Sequence, residues 1–168
     1  RIATVFDNRS YVIRADVTQQ SRGALSGRFG LWTKIRDFRS TGEEALAPAT
    51  DQLSAATFVY EELDFGRLQL QFGGRLERTD YTVGERPDHG HDEDHDFGHG
   101  NHREPPTVQN RNFLGGSASI GLRGELTSQT VVVANVTRSH RAPALEELYN
   151  FGAHIGNLTY EVGNPNLS

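Results

Sequence analysis

The residues best suited to chemistry in this sequence are concentrated in one segment, residues 87–102, which reads PDHGHDEDHDFGHGNH. Its five histidines are His89, His91, His95, His99 and His102. Neutral imidazole is the commonest protein ligand for metal ions and suits zinc, copper and nickel. Zinc also accepts carboxylate oxygens, and the acids expected to share in binding are Asp92, Asp94 and Asp96. The pattern predicts a metal-binding segment.

The same segment carries the net charge of the whole chain. The sequence has 22 Asp and Glu against 17 Lys and Arg, a formal net charge of -5. From Glu85 to Glu104 there are 7 acids and 2 bases, which leaves 22 - 7 = 15 acids and 17 - 2 = 15 bases elsewhere. A concentrated negative field attracts cations before any ligand exchanges, so the acids should help the histidines to collect ions.

Two other interpretations of the segment stay open. A low-complexity loop of His and Asp can be solvated filler without a ligand. His89 and His91 form an H-x-H pair, a spacing found in metal hydrolases and cupin-like oxygenases. Catalytic sites of that kind need rigid strands and a fixed third ligand, whereas this segment lies in the longest predicted loop. We therefore expect a metal collector and no enzyme.

The rest of the composition excludes several classes of protein. There is no cysteine, which excludes disulfides, thiolate metal sites and a cysteine nucleophile. Charge neutrality outside the His-rich segment argues against nucleic acid, which requires a basic surface. No apolar run approaches the roughly 20 residues of a membrane-spanning helix. A helical membrane protein is thus excluded, whereas a β-barrel is not.

Hydrophobic residues alternate with polar ones along six segments, and a period of two predicts β-strands. The six segments are 10–20, 23–38, 52–62, 66–83, 116–126 and 129–140. In the fourth, Leu68, Leu70 and Phe72 alternate with glutamines and a glycine. Trp32 is an exception, because it falls on the polar side of its strand and nothing in the sequence explains it.

The lengths of the strands and their connections favour a membrane barrel. Several segments exceed the roughly 5–6 residues usual in globular sheets and reach the roughly 9–11 that a tilted transmembrane strand needs. Short connections near 21–23, 64–66 and 127–128 alternate with long ones at 39–51, 84–112 and from 141 onward. Outer-membrane barrels have short periplasmic turns and long extracellular loops. We therefore predict an all-β, antiparallel transmembrane barrel wall of about six strands, with a soluble β-sandwich as the alternative.

The charged face of these strands should line the barrel lumen. A charge that faces lipid at mid-membrane costs about 2–4 kcal/mol, so the apolar face must be the outer one. The charged residues concerned are Arg14, Asp16, Arg28, Arg75, Glu77, Arg123 and Glu125. We expect four of them, Arg14, Arg75, Glu77 and Arg123, to form ion-pair networks rather than to bind the ligand.

The stretch 135–168 resembles a strand-and-loop signature of TonB-dependent outer-membrane receptors. In that family an Arg-x-Pro followed by Glu-Leu closes a strand, and a Gly-Asn-Pro-x-Leu turn follows. The matching residues are Arg141, Pro143, Glu147, Leu148, Gly163, Asn164, Pro165 and Leu167. The pair of segments from Phe58 to Glu62 and from Leu68 to Glu77 is also similar to the family's pattern. The resemblance covers nearly the whole chain, with the His-rich loop as its variable part.

The resemblance implies a plugged barrel of about 22 strands in the bacterial outer membrane, which takes up a scarce ligand with energy from the TonB complex. Residues 1–168 would be part of the barrel domain, with the plug and the C-terminal strands outside this chain. Residues 84–112 would form an extracellular loop. A His- and Asp-rich outer loop resembles the zinc-uptake subgroup, so the expected ligand is Zn²⁺, with no prosthetic group.

Other ligand sites remain open within the same family. His140 and His154, with Glu146 or Glu147, are expected to form a second zinc site nearer the pore mouth. Haem receptors carry an F-R-A-P box, a later His and an N-P-N-L box. This chain has His140-Arg141-Ala142-Pro143, then His154, then Asn164-Pro165-Asn166-Leu167, so haem is the alternative ligand. Siderophore uptake would use aromatic residues such as Tyr81, Tyr149 and Phe151.

Overall fold

The computed structural model describes residues 4–42, 45–84, 105, 107–154 and 158–168, with the backbone alone at residue 154. Its main element is an antiparallel sheet in which six strands pair in chain order. These strands are β1 (Val5–Arg22), β2 (Leu25–Thr41), β3 (Thr50–Asp64), β4 (Leu68–Val83), β5 (Arg111–Thr127) and β6 (Thr130–Arg138). After them come α1 (Leu145–Tyr149) and a hairpin of β7 (Phe151–His154) and β8 (Thr159–Val162). The prediction of an all-β wall of six antiparallel strands is confirmed.

Four of the six strands, β1, β2, β3 and β5, extend further than the sequence pattern predicts, whereas β4 and β6 are shorter. β1 begins at Val5 rather than at residue 10, and β5 begins at Arg111 rather than at residue 116. Charged residues such as Asp7 and Arg9 hide the ends of the strands, because they replace the apolar residues on which the alternation depends. The connection between β2 and β3 is correspondingly shorter, 42–49 instead of 39–51. Within the described ranges, no helix has the length and hydropathy needed to cross a membrane.

Tight turns close one end of the sheet. Gly23 and Gly66 have φ angles of 65° and 81°, a left-handed conformation that glycine adopts without steric cost. Asp64 stabilises the second turn, since its carboxylate accepts a hydrogen bond from the Gly66 N–H at 2.7 Å. All the long connections therefore leave from the opposite end, which we call the mouth end.

The register separates two faces. The polar face carries the even-numbered residues of β1 to β3 and the odd-numbered residues of β4 to β6, and the apolar face carries the others. Large side chains such as Ile13, Leu31 and Ile120 are exposed on the apolar face, where no other part of the described chain packs. Such an exposed apolar sheet face is what a lipid-facing wall requires.

A belt of ion pairs borders the apolar face at the mouth end. The pairs are Arg9–Asp7 at 3.4 Å, Arg39–Asp37 at 2.8 Å, Arg39–Asp51 at 3.0 Å and Arg78–Asp80 at 2.9 Å. The belt is not perpendicular to the strands. Asp37 is level, through Asp51, with Thr82 of β4, yet the charges in β4 begin four residues earlier at Arg78. Strands tilted in a barrel produce a boundary of this oblique kind.

Candidate functional site

The polar face is covered at the mouth end by the described part of residues 141–167, a segment that we call the cap. Polar contacts join it to three strands and to the β2–β3 connection. Tyr81 of β4 donates a hydrogen bond to the Pro143 carbonyl at 3.0 Å. Arg36 of β2 pairs with Glu146 of α1 at 3.6 Å, and the Phe151 N–H donates to the Leu46 carbonyl at 3.0 Å. The cap is thus docked on the wall rather than extended from it.

An apolar core holds the cap in place. Leu145, Leu148 and Tyr149 of α1 are almost completely buried, with exposed fractions of 1%, 0% and 0%. They join Phe38, Tyr81 and Phe113, which lie on the polar face of β2, β4 and β5, in one cluster of buried residues. The Tyr81 and Phe113 rings meet edge to face with centroids 6.1 Å apart, a favoured aromatic geometry. This cluster is the main hydrophobic core of the described chain.

An ion pair closes the first turn of the cap. Arg141 donates two hydrogen bonds to the carboxylate of Glu147, at 2.9 and 2.7 Å, and the Ala144 N–H donates a third at 2.7 Å. The Arg141 guanidinium and the Ala144 N–H stabilise the charged carboxylate, which lowers the pKa of Glu147 to about 2. The same pair raises the pKa of Arg141. Glu147 is therefore ionised at any physiological pH.

The Gly-Asn-Pro-x-Leu turn packs directly on α1. The Gly163 N–H donates to the Asn150 carbonyl at 2.6 Å, and the Asn164 N–H donates to the Glu147 carbonyl at 2.9 Å. A Cβ at position 163 would lie 2.6 Å from backbone atoms of Leu148 and Tyr149, so only glycine fits there. Arg111 of β5 secures the end of the turn.

Arg111 donates hydrogen bonds to the carbonyls of Pro165 and Leu167. Most residues of the family-like motif therefore have a structural contact: Arg141 pairs with Glu147, Leu148 is buried, and Pro165 and Leu167 accept hydrogen bonds from Arg111. The motif residues build and dock the cap. The sequence signalled their importance but not this structural role.

The predicted second zinc site draws on residues that have other contacts in the cap. Glu147 is held by Arg141 and Glu146 faces Arg36. The side chain of His140 lies over Gly115, and the backbone N–H of His140 donates to the Ser117 hydroxyl at 3.0 Å. His154 lies in β7, and its side chain is outside the described residues. In the part of the chain that the structure describes, no three His, Asp or Glu side chains form a group that would hold a metal. The second site stays a prediction.

The eight predicted ligands of the primary site, His89 to His102 with the three aspartates, lie outside the described residues. Both ends of their loop are described. Tyr81 pairs with Arg111 across β4 and β5, and the Val83 N–H donates to the Asn110 side chain at 2.9 Å. The Tyr149 hydroxyl donates to the Gln109 carbonyl at 2.7 Å, so the loop stem contacts the cap. The loop therefore begins and ends at the mouth end.

The predicted ion pairs on the polar face are confirmed. They are Arg14–Asp16 at 3.1 Å, Arg28–Asp16 at 3.4 Å, Arg75–Glu77 at 2.7 Å and Arg123–Glu125 at 3.0 Å. These pairs balance charges of both signs along the wall. Since each is partly exposed, its net contribution to stability is small.

The aromatic residues on the polar face stack with arginines. The Arg75 guanidinium lies 5.0 Å from the centroid of the Trp32 ring, and that of Arg14 lies 4.7 Å from the centroid of the Phe58 ring. Cation–π contacts of this kind explain why Trp32 interrupts the polar alternation of β2. The aromatic residues considered for a siderophore have other partners. Tyr81 of the wall and Tyr149 of the cap are buried where the two pack together, and the rings of Phe151 and Tyr160 lie 5.5 Å apart.

Together, the long antiparallel strands, the sorted connections and the paired charges of the polar face define one wall of a transmembrane β-barrel. The chain matches, over residues 3–168, the family model described as TonB dependent receptor-like, beta-barrel. The chain therefore belongs to the TonB-dependent receptors, which are receptors and transporters of the bacterial outer membrane rather than enzymes. A comparison with individual curated proteins gave no match.

Proposed function

We propose that this receptor imports zinc ions, which its His-rich loop collects at the cell surface. The observation that carries the proposal is the composition of residues 87–102, where five histidines alternate with carboxylates. Zinc in proteins accepts the nitrogen of a neutral imidazole and the oxygen of a carboxylate as ligands. The family membership supplies the transport step, with the TonB complex as the source of energy.

The chemistry of the loop suits collection rather than permanent storage. Five histidines offer more ligands than one tetrahedral ion can use, so an ion can exchange between neighbouring sets of ligands. The local excess of 7 acids over 2 bases attracts the cation electrostatically. An ion held in this way is released readily to a deeper site.

The stem of the loop supports delivery at the mouth. The Gln109 carbonyl accepts a hydrogen bond from Tyr149 of the cap, and Asn110 bonds to the end of β4. Ions collected by the loop would therefore be released beside the cap. Family membership also implies that long connections face outward, which would put the collector on the extracellular side.

Uptake of labelled zinc by cells at limiting external zinc tests the proposal. In the full-length receptor, all five loop histidines are replaced by Asn, which keeps the length and acidity of the loop. A matched variant replaces Asp92, Asp94 and Asp96 by Asn and keeps the histidines. We expect the histidine variant to lose high-affinity zinc uptake. The aspartate variant should lose a smaller part of this uptake, because it removes only negative charge and secondary carboxylate ligands.

Uptake by the histidine variant equal to that of the wild type would contradict the collector role. The alternative ligand, haem, rests on His154 following the His140-Arg141-Ala142-Pro143 stretch. If haem is the ligand, His154→Ala abolishes the Soret shift of added haem, and the loop variants leave that shift unchanged. The two assays therefore separate the two ligands.

A further inference from the structure

The last residues of the His-rich loop connect this loop to the cap. The Gln109 carbonyl accepts a hydrogen bond from the Tyr149 hydroxyl at 2.7 Å. Arg111, two residues further along the chain, donates hydrogen bonds to the carbonyls of Pro165 and Leu167. The end of the loop is therefore fixed both by α1 and by the last turn of the cap.

The first residue of the loop is connected to the cap as well, through the β2–β3 connection. The Gly84 N–H donates a hydrogen bond to the Ala49 carbonyl at 2.8 Å. In the same connection, the Leu46 carbonyl accepts a hydrogen bond from the Phe151 N–H of the cap at 3.0 Å. Both ends of the loop thus contact either the docked cap or the connection on which the cap rests.

Tyr149 belongs both to the core beneath the cap and to the contact with the loop. Its side chain is fully buried among the residues of that core, and its hydroxyl donates to the loop. A buried phenol hydroxyl requires a hydrogen-bond acceptor, so the cap docks best when Gln109 stays in this place. Tyr81 lies in the same core, but its hydroxyl donates to Pro143 within the cap. The two tyrosines therefore separate contact with the loop from docking of the cap.

Ion binding in the loop would change the free energy of this contact. A metal ion bound by several side chains of one loop restricts the conformations of that loop, so less conformational entropy remains to be lost when Gln109 is held in place. The hydrogen bond from Tyr149 then forms more favourably, and the cap docks more tightly. Thermodynamic linkage requires the reverse effect as well, because a docked cap must strengthen ion binding by the same factor.

We propose that the hydrogen bond between Tyr149 and Gln109 couples metal capture by the His-rich loop to docking of the cap on the wall. The coupling rests on the proposed function, since it requires the loop to bind zinc. Tyr149 acts as a positioning residue and not as a zinc ligand. The cap is then held more firmly at the mouth end while the loop holds an ion, and less firmly after the ion has left.

Hydrogen exchange of the detergent-solubilised full-length receptor, with and without saturating Zn²⁺, tests the coupling. Equilibrium dialysis with radioactive zinc measures ion binding by the same preparations. The reporters are the cap amides of Leu148, Asn150, Gly163 and Asn164. We expect zinc to raise their protection about fivefold in the wild type, the lower limit of ordinary coupling between sites. Tyr149→Phe keeps the buried ring but should lose most of this increase, and it should bind zinc about fivefold more weakly.

Tyr81→Phe is the matched control, because it removes the hydroxyl of the other buried tyrosine. It should lower the protection of the cap equally with and without zinc, so that the ratio of the two is kept. Arg111→Gln removes the second contact between the end of the loop and the cap, and it should reduce this ratio as Tyr149→Phe does. Heat-modifiable electrophoretic migration verifies that each variant is folded.

The outcomes separate the coupling from the proposed function. An unchanged zinc response in folded Tyr149→Phe and Arg111→Gln, or an equal loss of the response in Tyr81→Phe and Tyr149→Phe, would overturn the coupling. Zinc binding by the wild type without any change in the protection of the cap would also overturn the coupling and leave the proposed function intact. Absence of zinc binding by the wild type would overturn both.

Discussion

The two ends of the polar face are built differently, although the same strands form both. At the mouth end, Phe38, Tyr81 and Phe113 are buried beneath the cap. Further along the wall, charged pairs such as Arg75–Glu77 remain partly exposed. An aromatic residue on a polar strand face therefore marks a place where something packs. At the mouth end that partner is a distant segment of the chain.

In the middle of the wall, aromatic residues on the polar face have a different kind of partner. Trp32 and Phe58 also interrupt the polar alternation, but their partners are Arg75 and Arg14, each two strands away in the same sheet. The contacts here lie within the sheet and are partly exposed, whereas those under the cap join the sheet to the cap and are buried. We therefore expect substitutions under the cap to have the larger effects.

The largest effect is expected for Leu148→Ala. The side chain of Leu148 in α1 is fully buried, and deletion of a buried leucine side chain costs about 2–5 kcal/mol. The lost free energy should weaken the docking of the cap, because the pairing of the strands does not depend on this contact. Limited proteolysis of the folded receptor should show cleavage within residues 141–167. The control is Leu114→Ala, whose side chain is 76% exposed on the apolar face; equal protease sensitivity of the two variants would refute the docking.

A smaller, pH-dependent effect is expected at Glu147. Its pKa is lowered from an ordinary value of 4.5 to about 2 by Arg141 and by the Ala144 N–H. The carboxylate therefore stabilises the docked cap fully above pH 4.5, and this contribution is lost as the pH falls from 4.5 to about 2. Hydrogen exchange of the cap in the wild type and in Glu147→Gln, compared at each pH, should differ at neutral pH and converge near pH 2. A difference that does not change with pH would rule out this pair as its source.

The smallest effect is expected in the middle of the wall, at the contact between Trp32 and Arg75. Partly exposed cation–π contacts contribute about 0.5–1 kcal/mol. Trp32→Leu, Arg75→Gln and the double variant form a double-mutant cycle, read out as the temperature at which the folded receptor loses its heat-modifiable migration. The cycle should give a small favourable coupling without exposing the cap to protease. Strictly additive shifts would show that the two side chains do not interact.

The sequence predicts the wall well and the cap poorly, for a physical reason. The wall follows from a two-residue period that any stretch such as Leu68–Phe72 displays locally. The helix of the cap, Leu145–Tyr149, has only five residues, too few to show a helical period or to be stable alone. It exists because Leu148 and Tyr149 pack on residues far away in the chain. Phe38, Tyr81 and Phe113 were the available signal, since each places an aromatic residue on the polar face.

For the predicted metal site, too, the sequence indicates one part, and the other part depends on long-range folding. Its ligands could be proposed from composition alone, because five histidines among carboxylates identify a chemistry without any fold. Which of them bind one ion together depends on how the loop folds, and the ligands lie outside the described residues. His140 shows the limit of sequence spacing: it precedes Arg141 in the motif, yet its side chain lies over Gly115 of β5.

Hydrogen exchange of the cap in the full-length receptor tests most directly whether the cap is docked on the wall. The amides of Leu148, Asn150, Gly163 and Asn164 each donate to a backbone carbonyl within the cap. A helix of five residues exchanges freely unless tertiary contacts hold it. We expect these four amides to be protected, and to lose protection in Leu148→Ala while the strands keep theirs. Exchange at unprotected rates in the wild type would contradict the docked cap.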